Sequence, residues 1–180
     1  MSRMSVRAAA ASYLGGRPQP GRPGMFRDSD IQFLGTLWTA GPREARDDDF
    51  WPVPGQVSGA VATVHLVTST EKRRSFGGGG NGDTPPAGEK RVDYQLYLET
   101  YFKSRQPRTE DATADFDGFL DSLVARFRAD RTWGTGGRTF DQIWQAGEDI
   151  EISPGEPALQ NGVYFQQAAV ITTVTEWVLS

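Results

Sequence analysis

A chain of 180 residues with a formal net charge of −4 and a pI near 5.0 lacks the basic balance of a protein that grips nucleic acid through its phosphates. It has no cysteine, which excludes disulfides, thiol nucleophiles and cysteine-ligated zinc. A hydrophobic share of 37% with 21 glycines and 11 prolines predicts a modest core and several long polar loops, and no apolar run approaches the roughly 20 residues of a spanning helix.

In chain order, Ser5 to Leu14 reads as a short helix, with Ser5 as cap, four alanines inside and Gly15-Gly16 as its stop. Its apolar stretch, Ala8 to Ala11, is too short for the core of a secretory leader, so a soluble protein with an amphipathic first helix is expected. Arg17 to Gly24 holds three prolines and suits neither a helix nor a central strand. Phe33 to Thr39 predicts a short strand, and Pro42 to Asp49 a charged loop that Pro52, Pro54 and Gly55 prolong.

Ser58 to Thr70 predicts a strand that is apolar on both faces, with Ala60, Ala62, Val64 and Leu66 on one side and Val61, Thr63, His65 and Val67 on the other. Such a strand belongs in the middle of a sheet or under cover on both sides. Arg91 to Lys103 predicts a second long strand. Val92, Tyr94, Leu96, Leu98 and Phe102 face one way, and Asp93, Gln95, Glu99 and Lys103 the other. The Gly-rich segment Ser75 to Gly88 between them has almost nothing to bury, so the two strands are expected to form a long hairpin with a mobile tip.

Asp115 to Asp130 gives the clearest helix. Phe116, Phe119, Leu120, Leu123, Val124 and Phe127 share a face, acids open it, arginines close it, and Thr113 is the expected N-cap. Phe140 to Ala146 and Asp149 to Ser153 read as two strands, and Tyr164 to Leu179 as a long last one rich in β-branched residues. The sum is an α+β fold: a mostly antiparallel β-sheet with a long hairpin, flanked by two helices. It forms a single domain over 1–180, with long loops at 15–30, 40–57, 75–90 and 131–139.

Motifs for chemistry are thin. His65 is the only histidine and reads as a half-buried strand residue with a hydrogen-bond partner. A hydrolase that uses it with an acidic partner is a remote alternative, since spacing nominates no triad. Gly77 to Thr84 approximates a P-loop, but Asp83 stands where lysine must be and Pro85-Pro86 follows instead of a helix. Asp47-Asp48-Asp49 with Glu44 lacks a calcium-loop pattern and reads as a solvated acidic loop. No catalytic, metal or cofactor residue is therefore assigned. Lys72, Arg73 and Arg74 form the one dense basic patch, which reads as a charged strand end that discourages stray edge pairing or as an interface contact, ahead of a contact to a phosphate backbone. With Phe76 at the mouth of the Gly-rich tip they are the candidate interface contacts, against the alternative of an inert charged turn. The five tryptophans, Trp38, Trp51, Trp133, Trp144 and Trp177, are core or interface anchors.

Ser58-Gly-Ala-Val-Ala-Thr-Val-His-Leu, Lys90-Arg-Val-Asp-Tyr-Gln-Leu-Tyr-Leu, the 115–130 helix, Ile143-Trp-Gln-Ala-Gly and Val170 to Val178 follow one another in an order that resembles tail terminator proteins of long-tailed, siphovirus-type bacteriophages, particularly those of actinobacterial hosts. The resemblance covers most of the chain and rests on pattern, not on a catalytic signature. It implies a non-enzymatic virion protein: a homohexameric ring at the head-proximal end of the tail, assembled in the host cytoplasm. That ring would stop growth of the tail tube protein and dock the head–tail connector or stopper protein, with DNA passing through its lumen unread. Its partners are itself, the tube and the connector, with no membrane and no cofactor. The nearest alternatives are another head–tail joining protein or a minor tail protein.

Overall fold

The computed structural model describes residues 3–39, 44–75, 88–129 and 142–179. Helix α1 (Arg3–Tyr13) starts two residues before the expected cap. It ends where glycine permits: Gly15, at φ +81°, lets its own N–H reach Ser12 O and that of Gly16 reach Ala11 O. These are the paired bonds that close a helix through a left-handed residue. The following Pro-rich segment holds an edge strand, β1 (Arg17–Pro18), antiparallel to β2 (Met25–Arg27), which pairs with β3 (Leu34–Trp38). A two-residue edge strand tolerates proline because only one side needs hydrogen bonds.

A four-residue helix, α2 (Asp47–Phe50), occupies the stretch expected to be loop. Its Asp49 is buried: it accepts from the Arg46 N–H at 2.9 Å and pairs with Arg27 Nη2 at 2.9 Å. The solvated reading of the acidic run thus fails at Asp49, because a cation from β2 follows the carboxylate into the interior. Asp47 stays exposed and pairs with Lys103 and Arg105. The α2 turn lies so close to the sheet that a Cβ at Gly59 would strike the Phe50 carbonyl, so only glycine fits there.

The long elements are β4 (Ser58–Ser75), β5 (Gly88–Ser104), α3 (Thr109–Ala129), β6 (Gln142–Pro154), β7 (Ala158–Gln160) and β8 (Val163–Leu179). The sheet order is β1-β2-β3-β4-β5-β8-β6, with β7 beside β8. Only β3 and β4 are parallel. The mostly antiparallel sheet and the hairpin agree with the sequence, and so do two long helices. The additions are α2 and the short strands β1, β2 and β7. The two strands expected after residue 140 are one strand, because pairing with β8 resumes at Ile150 after an irregularity beyond Ala146. Of the expected loops, 131–139 and the tip from Phe76 to Ala87 lie outside the described residues, as does the P-loop-like run to Thr84.

Helix α3 starts at Thr109, after Pro107, so Thr113 lies inside it and its Oγ donates to Thr109 O at 3.0 Å instead of capping. Ala112 extends the buried stripe one turn upstream of Phe116. Helices α1 and α3 cover one face of the sheet. There Val6, Leu14, Phe116, Phe119 and Phe127 meet Ala60, Ala62, Val64, Leu96, Leu98, Phe102 and Val170 in the main core. The helices are tied together by Arg126, which donates to Tyr13 O at 2.8 Å and lies over the Tyr13 ring. A smaller core of Met25, Trp38, Phe50 and Val61 covers the other face under α2. That is why β4 is apolar on both sides over its first half.

Candidate assembly surface

Beyond Trp38 the sheet loses β3, which pairs with β4 only as far as Thr63. The distal sheet is then four strands, β4-β5-β8-β6, each antiparallel to the next. Among the described residues no strand lies beside β4 from Val64 onward, nor outside β6. Arg3 Nη2 donates to Leu66 O at 2.6 Å and occupies the beginning of the β4 edge. An irregularity between Leu66 and Ser69 follows. From Ser69 to Ser75 no strand among the described residues lies beside this edge, and Val67 to Lys72 are all exposed.

The opposite edge is equally uncovered. Every residue from Glu151 to Gly162 is exposed, including Ile152 and Leu159, the latter 68% accessible. These residues form the end of β6, all of β7 and a tight turn through Asn161 and Gly162, both at positive φ. Ordered strands that bury almost nothing within their own chain present main-chain donors and acceptors to a neighbour.

The assigned contacts divide. Lys72 projects from β4, 62% exposed, with Nζ 4.0 Å from Asp93 Oδ2. Arg73 and Arg74 continue β4 opposite Lys90 and Glu89. Phe76 lies outside the described residues. Asp93 is the fixed point of this end: Arg91 Nε donates to it at 2.7 Å and Thr175 Oγ1 at 2.7 Å. Burial pushes its carboxyl upward, but the Thr175 and Arg91 hydrogen bonds and the Arg91 and Lys72 charges outweigh that and hold it below the usual carboxylate range.

Nearer the smaller core, the face opposite α1 and α3 opens into a cavity of about 500 Å³ with walls from Trp38, Phe50, Tyr101 and Phe165. His65 does find an acidic neighbour there: its Nε2 is 3.5 Å from Glu99 Oε2. The pair arises from the hairpin register, which sets Thr63 opposite Glu99 and His65 opposite Tyr97. Tyr101 donates to Glu99 Oε1 at 2.7 Å. That bond, with burial and the Glu99 charge, raises the Tyr101 phenol to about 12. A phenol held protonated is the opposite of an activated nucleophile. Lys103 lies 4.4 Å from the centre of the Phe50 ring and 3.3 Å from Asp47 Oδ1. Its charge is thus engaged within the chain.

Tyr101 gives a direct test. Its folded-state value lies above the ordinary phenol near 10, so its contribution to stability is complete below pH about 10 and is lost as pH rises through about 12. Ultraviolet titration should show a tyrosinate step near 12 that moves toward 10 in Glu99→Gln, and an unmoved step would show that the bond to Glu99 does not form.

Trp38 is a core anchor and Trp51 stacks under Arg105 at 3.8 Å. Trp144 and Trp177 lie on β6 and β8, opposite Glu176 and Ile143 respectively, and Trp133 lies outside the described residues. No group of acids or histidines among the described residues has the geometry of a metal site, and no helix among them is long and apolar enough to cross a membrane. No protein-family model matches the chain, and no curated protein matches it significantly.

Proposed function

We propose that this chain is a non-enzymatic virion protein, a tail terminator of a long-tailed bacteriophage that works as a hexameric ring. One ring face copies the contacts a further tube ring would make, and the other differs. Tube growth therefore stops, and the head connector docks on the differing face. The observation that carries this reading is the unfinished distal sheet: four strands, with no further strand on either outer edge among the described residues, flanked by twelve consecutive exposed residues from Glu151 to Gly162. A sheet left open on two different edges is suited to heterologous contacts, the kind that build rings from identical subunits. The acidic charge balance suits a channel through which DNA passes without being held. In an infected host the ring would sit at the head-proximal end of the tail.

The His65–Glu99 pair favours a second reading, a small hydrolase, but the third member of that cluster is a phenol pinned by the same carboxylate. The test is the mass in solution by light scattering, alone and with tail tube protein. The terminator reading expects about six times the 19.8 kDa chain mass, or assembly triggered at tube ends. A monomer or dimer that ignores tubes but binds the portal side would move the protein to a connector role.

A further inference from the structure

We infer that the ring joint is a sheet-to-sheet splice in which the basic β4 edge of one copy adds to the acidic β6 edge of the next. This rests on the ring reading and names the partner of each edge. The far end of β4 carries Lys72, Arg73 and Arg74 in sequence. The β6 segment carries Glu148, Asp149 and Glu151, the last two exposed. One edge is therefore cationic and the other anionic on the same sheet, so each copy is complementary to the next and not to itself.

Strand direction agrees. Because β4, β5, β8 and β6 alternate in direction, β4 and β6 run opposite ways. A head-to-tail joint between β6 of one copy and β4 of the next is then antiparallel, and the ladder continues without a reversal. The faces agree as well. Lys72 lies in the cross-strand row of Arg91 and Trp177, and Glu151 in the row of Ile171, Tyr97 and His65. Both rows belong to the sheet face that α1 and α3 leave uncovered, so neither helix obstructs the joint.

The two rows stand about six residues apart along β5, from Arg91 to Tyr97, or roughly 20 Å at about 3.3 Å per residue. Bringing the opposite charges together therefore slips each copy along its neighbour by about that distance. A slip of this kind tilts the strands relative to the axis, which is what closing a sheet on itself requires. Each edge, which has no strand beside it among the described residues, gains a ladder, and the charges select the register.

The experiment uses two full-length variants, Lys72→Glu/Arg74→Glu and Asp149→Lys/Glu151→Lys, examined by light scattering with and without tail tube protein. Each variant alone has two edges of the same sign and is expected to stay at one chain mass, a drop of about sixfold from the ring. An equimolar mixture restores opposite signs at every joint, and should recover the ring as an alternating array of the two variants. Combining all four substitutions in one chain swaps the edges and should also recover it. Wild type that assembles while each single-sign variant assembles equally well would overturn the splice and leave the terminator reading standing. So would a mixture that stays apart. Wild type and mixture that form rings but ignore tubes would support the splice and remove the terminator reading. Wild type that is monomeric in every condition would overturn both.

Discussion

Replacing Phe102 with alanine is expected to cost about 3–5 kcal/mol, the usual loss for a buried phenylalanine whose cavity cannot collapse. Phe102 is fully buried on β5, in the middle of the sheet, and its ring meets three others: Phe116 at 5.5 Å edge-on, Phe119 at 6.2 Å stacked and Phe33 at 6.2 Å edge-on. It joins α3 to the sheet and to the turn that precedes β3. The walls around it are rigid ladders on both sides, because β5 is paired with β4 and with β8 along its length, so relaxation into the void is limited. A loss of this size consumes much of the about 5–15 kcal/mol that holds a typical domain folded. Urea unfolding should show a lower midpoint with an unchanged slope, and a shift under about 1 kcal/mol would mean that α3 is less firmly seated than the packing indicates.

Tyr94→Phe is expected to cost about 1.5–3 kcal/mol, the range for losing a hydrogen bond to a buried charge. Glu176 is 0% exposed on the helix-facing side of β8, and the Tyr94 hydroxyl donates to its Oε2 at 2.8 Å. The substitution keeps the ring volume and removes only the donor, so the carboxylate keeps the full cost of leaving water with less to offset it. Burial, then the bond to Glu176, raises the Tyr94 phenol above its ordinary value, so the donor stays protonated well into the alkaline range. In a Glu176→Gln background the same substitution should cost less, because a neutral amide needs the hydroxyl less. Equal costs in the two backgrounds would mean that the bond contributes nothing specific to the charge.

Much of this architecture was legible in periodicity. The alternation along Arg91–Lys103 appears as buried and half-exposed positions in strict turn, and the two apolar faces of Ser58–Val64 meet two separate cores. What escaped reading was decided by partners remote in sequence. Strands of two or three residues, such as β1 and β7, have no period to detect and exist because β2 and β8 lie beside them. Asp47–Asp49 reads as an exposed acidic run until Arg27 arrives from β2. His65 met an acid because hairpin register set Glu99 diagonally across from it, and a register is invisible while the turn is unknown. Lys72 was legible as exposed charge. That the acids of β6 stand on the opposite edge of the same sheet was not, because nothing in a linear reading says that β4 and β6 bound it.

The position of β8 has a consequence for the order of events during synthesis. It is made after every other strand among the described residues, yet it stands between β5 and β6, and its ladder joins Ser104 to Tyr164 and Glu89 to Leu179. Partners are thus 60 to 90 residues apart, a gap a ribosome fills in about 3–18 s at about 5–20 residues per second. The β4–β5 hairpin is complete once Ser104 has been made, and the side of β5 that β8 takes stays unfilled until β8 follows. Strand β6 has been made by then but has nothing to lie against until β8 arrives. For the splice proposed above, a nascent chain that has β6 but not yet β8 lacks the acidic edge in its proper place and is not ready to join another copy.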